Sequence, residues 1–330
     1  MEITKSPDYE VLGLGAPIVD QILGVSEEFL TKIPGSKGGT LPVDYVTMCN
    51  IVKESKAEPL FIAGGSGANT IKGLAHLGKK GALLGKIGND PLGKKFLQTI
   101  KSLGIVSLYL TTETPTAQVV SLVTPDGERT MRSFLGASQE MQSDDLNPAV
   151  FEGVKLVHIE GYSLQNDQDG SLVKKTMELA KNAGCQISFD LSSFEIVERH
   201  KKIIVNLIAD YCQIVFANRQ EIKALAQCEP EKGCDILKDL CDIAVILQGR
   251  DGCWVGQGTE KFLYPAIPVV PVDTTGAGDF FACGFLYGYL QRRSLQECAY
   301  FGTLLGSAVV QVIGAELSQE LWEELKQQMS

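Results

Sequence analysis

From about residue 154 onward, short runs of apolar residues alternate with longer segments of mixed polarity. The apolar runs are typical of buried strands and cover residues 155–161, 185–191, 213–217 and 243–247. The segments between them predict helices at residues 172–182, 195–209 and 219–227. Because strands that are apolar throughout need cover on both faces, the alternation predicts a mainly parallel sheet between two layers of helices. Ligands of such sheets bind outside the carboxyl ends of the strands.

The N-terminal part of the chain is less regular. A first core strand is predicted at residues 10–14, and residues 17–60 contain turn-rich pieces such as the run from Ile33 to Gly39. Residues 117–124 and 129–136 are rich in strand-forming residues and flank the turn Pro125-Asp126-Gly127-Glu128. An Asp-Gly pair between two such runs predicts a hairpin, so we expect these segments to form a small separate sheet.

Composition and charge limit the classes of partner. The 330 residues are 44% hydrophobic and 21% charged, which is ordinary for one large domain with an appendage or for two domains. The net charge of −10 argues against nucleic acid or an anionic membrane as a partner. No apolar run approaches the ~20 residues that span a bilayer. The polar N-terminus, Met1 to Glu10, shows no secretion signal, so we expect a cytoplasmic protein.

Cysteine usage agrees with that expectation. Nine cysteines are present, none of them in a Cys-x-x-Cys pair, and the chain has three histidines. Most of the cysteines lie inside apolar runs, where Cys behaves as a small core residue. A zinc site is therefore not expected, and a reducing compartment suits the free thiols.

The most informative stretch of the chain is Asp273-Thr274-Thr275-Gly276-Ala277-Gly278-Asp279, which leads directly into the apolar segment 280–285. A glycine-rich turn before a helix leaves backbone amides free to hold an anion. A carboxylate at the same end does not serve anion binding, but it suits a general base for a hydroxyl that attacks a bound phosphate. The stretch therefore predicts a phosphoryl-transfer site. A glycine turn with Asp279 as a helix cap is the alternative.

A second glycine-rich motif, Gly64-Gly65-Ser66-Gly67-Ala68-Asn69, precedes another apolar helical segment. In order and distance, the two motifs resemble the two signatures of the ribokinase-like carbohydrate and purine kinase family, in particular its adenosine-kinase-like branch. The resemblance covers about residues 8–325. It implies a ribokinase-like three-layer α/β fold with a mainly parallel central sheet and a small discontinuous β-sheet lid.

The resemblance also implies a division into domains and an activity. The large nucleotide- and substrate-binding domain is expected to comprise residues 1–16, 61–111 and 137–330, and the lid residues 17–60 and 112–136. The implied activity is transfer of phosphate from ATP, with Mg²⁺, to a primary hydroxymethyl group of a sugar or nucleoside. K⁺ is a further implied cofactor. The implied partner is this small molecule alone, and a monomer or homodimer is expected.

The acceptor side of the site begins near Gly13-Leu14-Gly15. This run fails the Gly-x-Gly-x-x-Gly pattern of dinucleotide binding because Ile18 stands at the third glycine position. In the family an Asp at this place accepts hydrogen bonds from sugar hydroxyls, and Asp20 matches it; a turn or surface Asp is the alternative. The resemblance implies acceptor binding by Asp20, Gly64, Gly65 and Asn69. It implies Asp279 as the catalytic base and an anion hole of the amides of Gly276, Ala277, Gly278 and Asp279.

The nucleotide side of the site is expected after two of the predicted strands. Asn218 and Glu221 resemble the family's Asn-x-x-Glu motif, which organises the water shell of Mg²⁺, and a capping box at the same residues is compatible with that role. The loop from Gln248 to Gly252 corresponds to the family's border of the ATP adenine and ribose. Family members often carry Lys or Thr at Gln248, and an ordinary hairpin turn is the alternative. The implied ATP-binding residues are Asn218, Gln248, Gly249, Asp251, Gly252, Gly276 and Gly278.

Two further expectations concern a monovalent cation and the lid. The resemblance implies a cation site built on backbone oxygens, with Asp273, Thr275, Val309, Val312, Gly314 and Ser318 at the matching positions. Plain helix core is the alternative for the two valines. In the presumed lid, Arg132 is interpreted as a solvated surface charge, and a contact to a substrate phosphate or sugar oxygen is the alternative.

The acceptor stays open at this point, because the adenosine-kinase pattern commonly has Asn where this chain has Ala16. Ribose, fructose, another sugar or another nucleoside all remain candidates. Two other classes of function are also considered: a nucleotide-binding regulator of the same fold without turnover, and a nicotinamide-dependent oxidoreductase suggested by Gly13 and Gly15. The intact Asp20, Asn69 and Asp279 disfavour the regulator, and the missing fingerprint disfavours the oxidoreductase.

Overall fold

The computed structural model describes residues 8–330, and fourteen strands lie in that range. In chain order they are β1 (Val11–Leu14), β2 (Ile18–Gly24), β3 (Thr40–Pro42), β4 (Leu60–Gly64), β5 (Gly81–Gly88), β6 (Val106–Thr112), β7 (Ala117–Val123), β8 (Arg129–Phe134), β9 (Leu156–Glu160), β10 (Gln186–Asp190), β11 (Ile214–Asn218), β12 (Ile243–Leu247), β13 (Cys253–Gln257) and β14 (Glu260–Tyr264). Residues 1–7 lie outside this range. They hold most of the segment searched for a secretion signal and the start of the first predicted domain segment.

Eleven α-helices lie in the same described range. They are α1 (Glu27–Leu30), α2 (Tyr45–Ser55), α3 (Ser66–His76), α4 (Pro91–Ser102), α5 (Ser171–Asn182), α6 (Phe194–Tyr211), α7 (Arg219–Ala226), α8 (Pro230–Lys238), α9 (Ala277–Leu290), α10 (Leu295–Val309) and α11 (Gln319–Gln328). Short 3₁₀ turns occupy Gly136–Glu140, Ser143–Asp145, Pro148–Phe151, Gly161–Leu164 and Gly249–Asp251. None of these helices is long and apolar enough to cross a membrane.

The larger sheet has the strand order β14-β13-β12-β11-β10-β9-β1-β5-β6 across the described residues. Strands β12 to β6 in that order run parallel, and β13 and β14 add an antiparallel edge. Strands β9 to β12 are almost continuously buried, because helices cover both faces. The mainly parallel sheet predicted from the apolar runs is confirmed.

Two hydrophobic cores lie on opposite faces of this sheet. Helices α3, α4, α9, α10 and α11 contribute to one core, and α5 to α8 contribute to the other. Helix α9 (AGDFFACGFLYGYL) is apolar almost all round, as expected for a helix packed between the sheet, α3 and α10. The result is a helix–sheet–helix arrangement in three layers.

The smaller sheet has the order β3-β8-β7-β2-β4, and we call these five strands the small sheet. Strands β7 and β8 pair antiparallel around the Asp126-Gly127 turn, so the predicted hairpin is confirmed. Strand β4 pairs with β2 here, although the predicted boundary at residue 61 assigns most of it to the large domain. The sheet draws its strands from residues 18–64 and 117–134, which are separate in sequence. The proposed division into two domains stays a prediction.

The small sheet also corrects the interpretation of Arg132. This side chain is fully buried, and its guanidinium donates to the carbonyl oxygens of Gly39 (3.1 Å) and Met131 (2.7 Å). In the strand register Arg132 pairs with Val120, on the face that packs against α2. The expected solvated surface charge is therefore wrong: the Arg lies inside the small sheet's own core.

Candidate active site

The two glycine-rich motifs meet at the carboxylate of Asp279. Its Oδ1 accepts a hydrogen bond from the Ser66 hydroxyl (2.7 Å), and its Oδ2 accepts one from Asn69 Nδ2 (2.9 Å). The Thr70 hydroxyl donates to the main-chain carbonyl of Asp279 (3.2 Å). Ser66 and Asn69 are three residues apart on α3, so one face of that helix holds the carboxylate. Each carboxylate oxygen keeps a further lone pair for another donor.

Asp279 is the third residue of α9, whose first turn presents unpaired amides. The Ala277 amide donates to Thr274 O (3.2 Å), but among residues 8–330 the amides of Gly276, Gly278 and Asp279 find no hydrogen-bond acceptor. Gly276 takes a left-handed conformation (φ 77°), which glycine adopts without strain and which turns the chain into the helix. The turn therefore offers donors and the positive end of a helix dipole beside a carboxylate.

The electrostatics of Asp279 suit a base. Burial raises the pKa of this carboxyl, while the hydrogen bonds from Asn69 and Ser66 and the charge of Lys72 oppose the rise. A carboxylate whose pKa lies above its usual range accepts a proton more readily than a solvated one. Lys72 is buried on α3, with its ammonium bonded to the Ala63 carbonyl.

Asp20 and the Gly64-Gly65 pair lie side by side next to this centre. Asp20 pairs with Ile62 in the small sheet, and a Cβ on Gly64 would come within 2.0 Å of Asp20 Oδ2. Gly65 has φ 97°, and a Cβ there would approach Ala16 O to 2.1 Å, so only glycine fits. Burial, followed by the nearby charge of Asp279 among the causes, raises the pKa of Asp20 to about 7. The residues predicted to bind the phosphate acceptor, Asp20, Gly64, Gly65 and Asn69, are thus brought together. In the described residues, Asn69 Oδ1 is buried without a hydrogen-bond partner.

At the carboxyl ends of β10 and β11, carboxylates gather where a metal was expected. Asn218 caps α7: its Oδ1 accepts the amides of Gln220 (2.8 Å) and Glu221 (3.0 Å), and Glu221 bonds back to it. Asp190 ends the neighbouring strand, and burial raises the pKa of both Asp190 and Glu221. The predicted capping box is present. The donor set is all oxygen, which fits Mg²⁺ held through water, and residues 8–330 hold no cluster of three metal-binding side chains.

The Gln248–Gly252 loop is a hairpin turn between β12 and β13. Gln248 donates its amide to Gly252 O (2.8 Å), and Arg219 Nη2 reaches Asp251 Oδ2 at 3.0 Å. The backbone of this loop is therefore the ordinary hairpin turn that was the alternative. A contact of Gln248, Gly249, Asp251 or Gly252 with a nucleotide stays a prediction.

The predicted monovalent-cation residues surround Asp273. Its carboxylate accepts bonds from the amides of Thr275 (3.1 Å) and Gly314 (2.7 Å), and Arg129 of the small sheet lies 2.6 Å away. A cation must therefore use main-chain oxygens. Among residues 8–330, no hydrogen bond ends on the carbonyls of Asp273, Thr275, Val312 or Gly314. Val309 O accepts the Val312 amide, and Ser318 O accepts the Trp322 amide. The free carbonyls fit K⁺, and the site stays a prediction.

Three residues of this region were given no role from the sequence. Ser66 holds Asp279, Arg129 pairs with Asp273, and Glu160 accepts the amides of Ala16 and Gly67. The position of Ser66, three before Asn69 in a motif next to a helix, was an available signal. Arg129 and Glu160 carried none, since their partners are more than 90 residues away.

Comparison with known proteins agrees with this architecture. The model of the pfkB family carbohydrate kinases matches residues 44–322. A probable sugar kinase from Rhizobium etli CFN 42 is similar in structure (TM-score 0.86, 33% identity, 97% of this chain and 98% of that one). So is the adenosine kinase from Sinorhizobium meliloti (TM-score 0.85, 31% identity, 98% and 100%). Adenosine kinase 2 of Arabidopsis thaliana is 25% identical over 94% of this chain and 97% of that protein.

These similarities confirm the ribokinase-like fold and the adenosine-kinase-like resemblance read from the two motifs. They include both sugar kinases and adenosine kinases, so they establish a kinase of sugars or nucleosides without fixing the acceptor. The chain belongs to the pfkB family of carbohydrate kinases.

Proposed function

We propose that this protein transfers the γ-phosphoryl group of ATP to a primary hydroxymethyl group of a nucleoside or sugar. The observation that carries the proposal is the Asp279 carboxylate, held by Ser66 and Asn69 beside unpaired amides at the start of α9. A base and an anion site at one helix end are what phosphoryl transfer needs. The nine free cysteines suit a cytoplasmic enzyme.

In the proposed reaction the acceptor lies between Asp20, the Gly64-Gly65 turn and Asn69. Its hydroxyl oxygen attacks the γ-phosphorus in line, and its proton passes to the Asp279 carboxylate. The bond from the γ-phosphorus to the bridging oxygen breaks, and ADP leaves with that oxygen. The raised pKa of Asp279 suits this proton transfer.

The anion hole and the cations complete the proposal. The amides of Gly276, Gly278 and Asp279 would stabilise negative charge that develops on the transferred group. Bound Mg²⁺ neutralises phosphate charge, and Asn218 and Glu221 are the residues that would hold its water shell. A monovalent cation, if bound by the carbonyls around Asp273 and Thr275, would add positive charge behind the same turn.

The face of the small sheet that carries Asp20 favours a nucleoside as acceptor. In the register Asp20 pairs with Val119, and Ile22 pairs with Ser121, which pairs with Met131. Directly paired residues point to one face, so Ile22, Val119 and Met131 flank Asp20, and all three are half-buried. A nucleobase can bury an apolar face against them, whereas a hexose would leave its hydroxyls unpaired.

A coupled ADP-release assay with Mg·ATP, run against nucleosides, ribose and fructose, tests the proposal. We expect turnover with a nucleoside. Asp279→Asn should lower kcat by roughly 10²–10⁴-fold, the usual scale for loss of a general base, because the amide cannot take the proton. ATP binding, measured by calorimetry, should survive.

The outcomes separate the parts of the proposal. Near-normal turnover by the Asn variant would contradict the role of Asp279. Turnover with ribose or fructose alone would keep the mechanism and overturn the nucleoside. ATP binding without turnover on any acceptor would favour a regulator of the same fold.

A further inference from the structure

Glu160, the last residue of β9, brings a buried carboxylate under the candidate acceptor site. Its side chain is 1% exposed. Oε1 accepts a hydrogen bond from the Ala16 amide (2.7 Å), and Oε2 accepts one from the Gly67 amide (2.5 Å). Among residues 8–330 no Lys, Arg or His side chain forms an ion pair with it. Burying a carboxylate that has no ion-pair partner is costly, so the position of Glu160 needs an explanation.

The two amides belong to the two segments that carry the acceptor residues. Ala16 lies where the chain leaves β1 of the large sheet and enters β2, the strand of Asp20. Gly67 is in the first turn of α3, the helix of Ser66 and Asn69, and no side chain caps that helix at Gly65. Glu160 therefore serves as a distant cap for α3, where a negative charge is favoured by the helix dipole.

The local sequence makes room for this carboxylate. A Cβ on Gly15 would come within 2.7 Å of Glu160 Oε2, and a Cβ on Gly67 within 3.3 Å of the same oxygen. Two glycines of the flanking segments thus border the space that the carboxylate fills. Burial raises the pKa of Glu160 to about 7, and the two amide bonds oppose the rise. At pH 8 the carboxylate is mostly ionised and accepts both bonds.

We propose that Glu160 is a positioning residue that ties the Asp20 strand to the start of α3 and so fixes the acceptor site. This rests on the proposed function, because it concerns the acceptor of the same reaction. Glu160 acts through Ala16 and Gly67. It sets the distance between Asp20 on one segment and the Ser66–Asn69 clamp of Asp279 on the other.

Glu160→Gln tests the proposal at nearly constant shape. The amide can accept at one oxygen only, and its NH₂ then faces the other backbone amide. We expect the acceptor KM at pH 8 to rise roughly tenfold to hundredfold, the equivalent of one or two charge-assisted hydrogen bonds. The KM for ATP should change by less than about threefold, because both hydrogen bonds of Glu160 go to the segments that carry the acceptor residues.

Amide hydrogen exchange gives a readout that does not depend on activity. In the Gln variant, exchange at Ala16 and Gly67 should accelerate at least about tenfold, while amides of β10 to β12 keep their protection. If the wild type proves to have no kinase activity, the proposed function fails, but this exchange result still decides whether Glu160 holds the two segments.

Two further variants keep the test interpretable. Glu160→Asp keeps the charge but is one methylene shorter, so it should retain one of the two bonds and give intermediate changes in acceptor KM and amide exchange. If the Gln variant does not fold, the Asp variant alone tests the proposal. Asp167→Asn is the matched control: Asp167 Oδ2 accepts the amides of Leu172 (3.0 Å) and Val173 (3.2 Å) at the start of α5, a helix that carries no predicted site residue. It should lower stability without changing the acceptor KM. Unchanged exchange and unchanged acceptor KM in both Glu160 variants would overturn the proposal.

Discussion

Lys72 is a buried lysine close to Asp20 and Asp279, the two carboxylates of the proposed mechanism. It is 6% exposed, and within residues 8–330 its ammonium bonds only to the Ala63 carbonyl. Burial lowers the pKa of Lys72, and the charges of Glu316, Asp20 and Asp279 oppose that effect. The charge of Lys72 in turn lowers the pKa of both Asp20 and Asp279 against the effect of burial. Lys72 therefore helps to keep Asp20 and Asp279, the proposed acceptor-binding carboxylate and the proposed base, ionised near neutral pH.

Replacing Lys72 should change the pH dependence of the reaction. In Lys72→Met the pKa of Asp20 and of Asp279 rises, so the acidic limb of the kcat/KM profile should move to higher pH by about one unit. Activity is then lost at pH 6.5 more than at pH 9, where both carboxylates are ionised in either protein. Lys72→Arg keeps the charge and serves as the control. A uniform loss of activity at every pH would indicate a packing role instead.

At the residue scale, the sequence predicted the positions of polar residues inside motifs better than those of charged residues outside them. Asp20, Asn69 and Asp279 stood in motifs whose local turns restrict where their side chains lie, and the structure brings them together. Arg132 had no such context, and its burial depends on the remote loop that ends at Gly39. Long-range partners of this kind are set by tertiary packing, which no local pattern encodes.

Among the elements, the start of α9 depends most on a single backbone conformation. Gly276 has φ 77°, and a Cβ there would come within 2.7 Å of the Ala315 Cβ. Gly276→Ala should therefore shift the turn and displace the unpaired amides of Gly278 and Asp279. We expect kcat to fall roughly 10–10²-fold, up to the cost of losing one anion-hole donor, with a weaker affinity for Mg·ATP.

Gly258→Ala is the matched control for that turn. Gly258 also has positive φ (54°), but a Cβ there meets no neighbouring side chain or backbone of the described residues within 4 Å, and the residue lies in the turn between β13 and β14. It should lose a similar stability through backbone strain and keep its kinetics. Equal kinetics in the two variants would argue against the anion hole.

The predicted elements agree with the structure where the chain carries clear, continuous apolar runs. Strands β9 to β12 were predicted to within one or two residues, because they are apolar and both faces are buried. Strand β6 was not predicted, since this edge strand mixes exposed and half-buried positions (VSLYLTT). The membership of β4 in the small sheet was not predicted either. Its sequence is equally compatible with both sheets, and only its pairing with β2 decides.

For the whole molecule, one ion pair within residues 8–330 joins the small sheet to the loop before α9. Arg129 Nη1 lies 2.6 Å from Asp273 Oδ2, with side-chain exposures of 18% and 5%. Arg129→Met should favour an open position of the small sheet. We expect the acceptor KM to rise roughly 5- to 100-fold, as for the loss of a partly buried charged hydrogen bond. ATP hydrolysis without acceptor should increase, because water enters an open site.

Lys37→Met provides the comparison for Arg129. Lys37 pairs at 2.5 Å with Glu27 and Asp126, both more than half exposed, and does not reach the large sheet. Loss of such surface pairs costs little. The kinetics of this variant should match the wild type. If Arg129→Met also matches it in KM and in hydrolysis, the ion pair does not govern closure.

The clamp on Asp279 has a consequence for how a newly made chain becomes active. Ser66 and Asp279 are 213 residues apart. At ~5–20 residues per second, roughly 10–40 s of translation separate them. During that interval α3 lacks α9, against which it packs, and its apolar face awaits cover. A nascent chain therefore exposes the apolar face of α3 as a surface that chaperones can recognise. The Ser66–Asp279 contact can form only after α9 has left the ribosome.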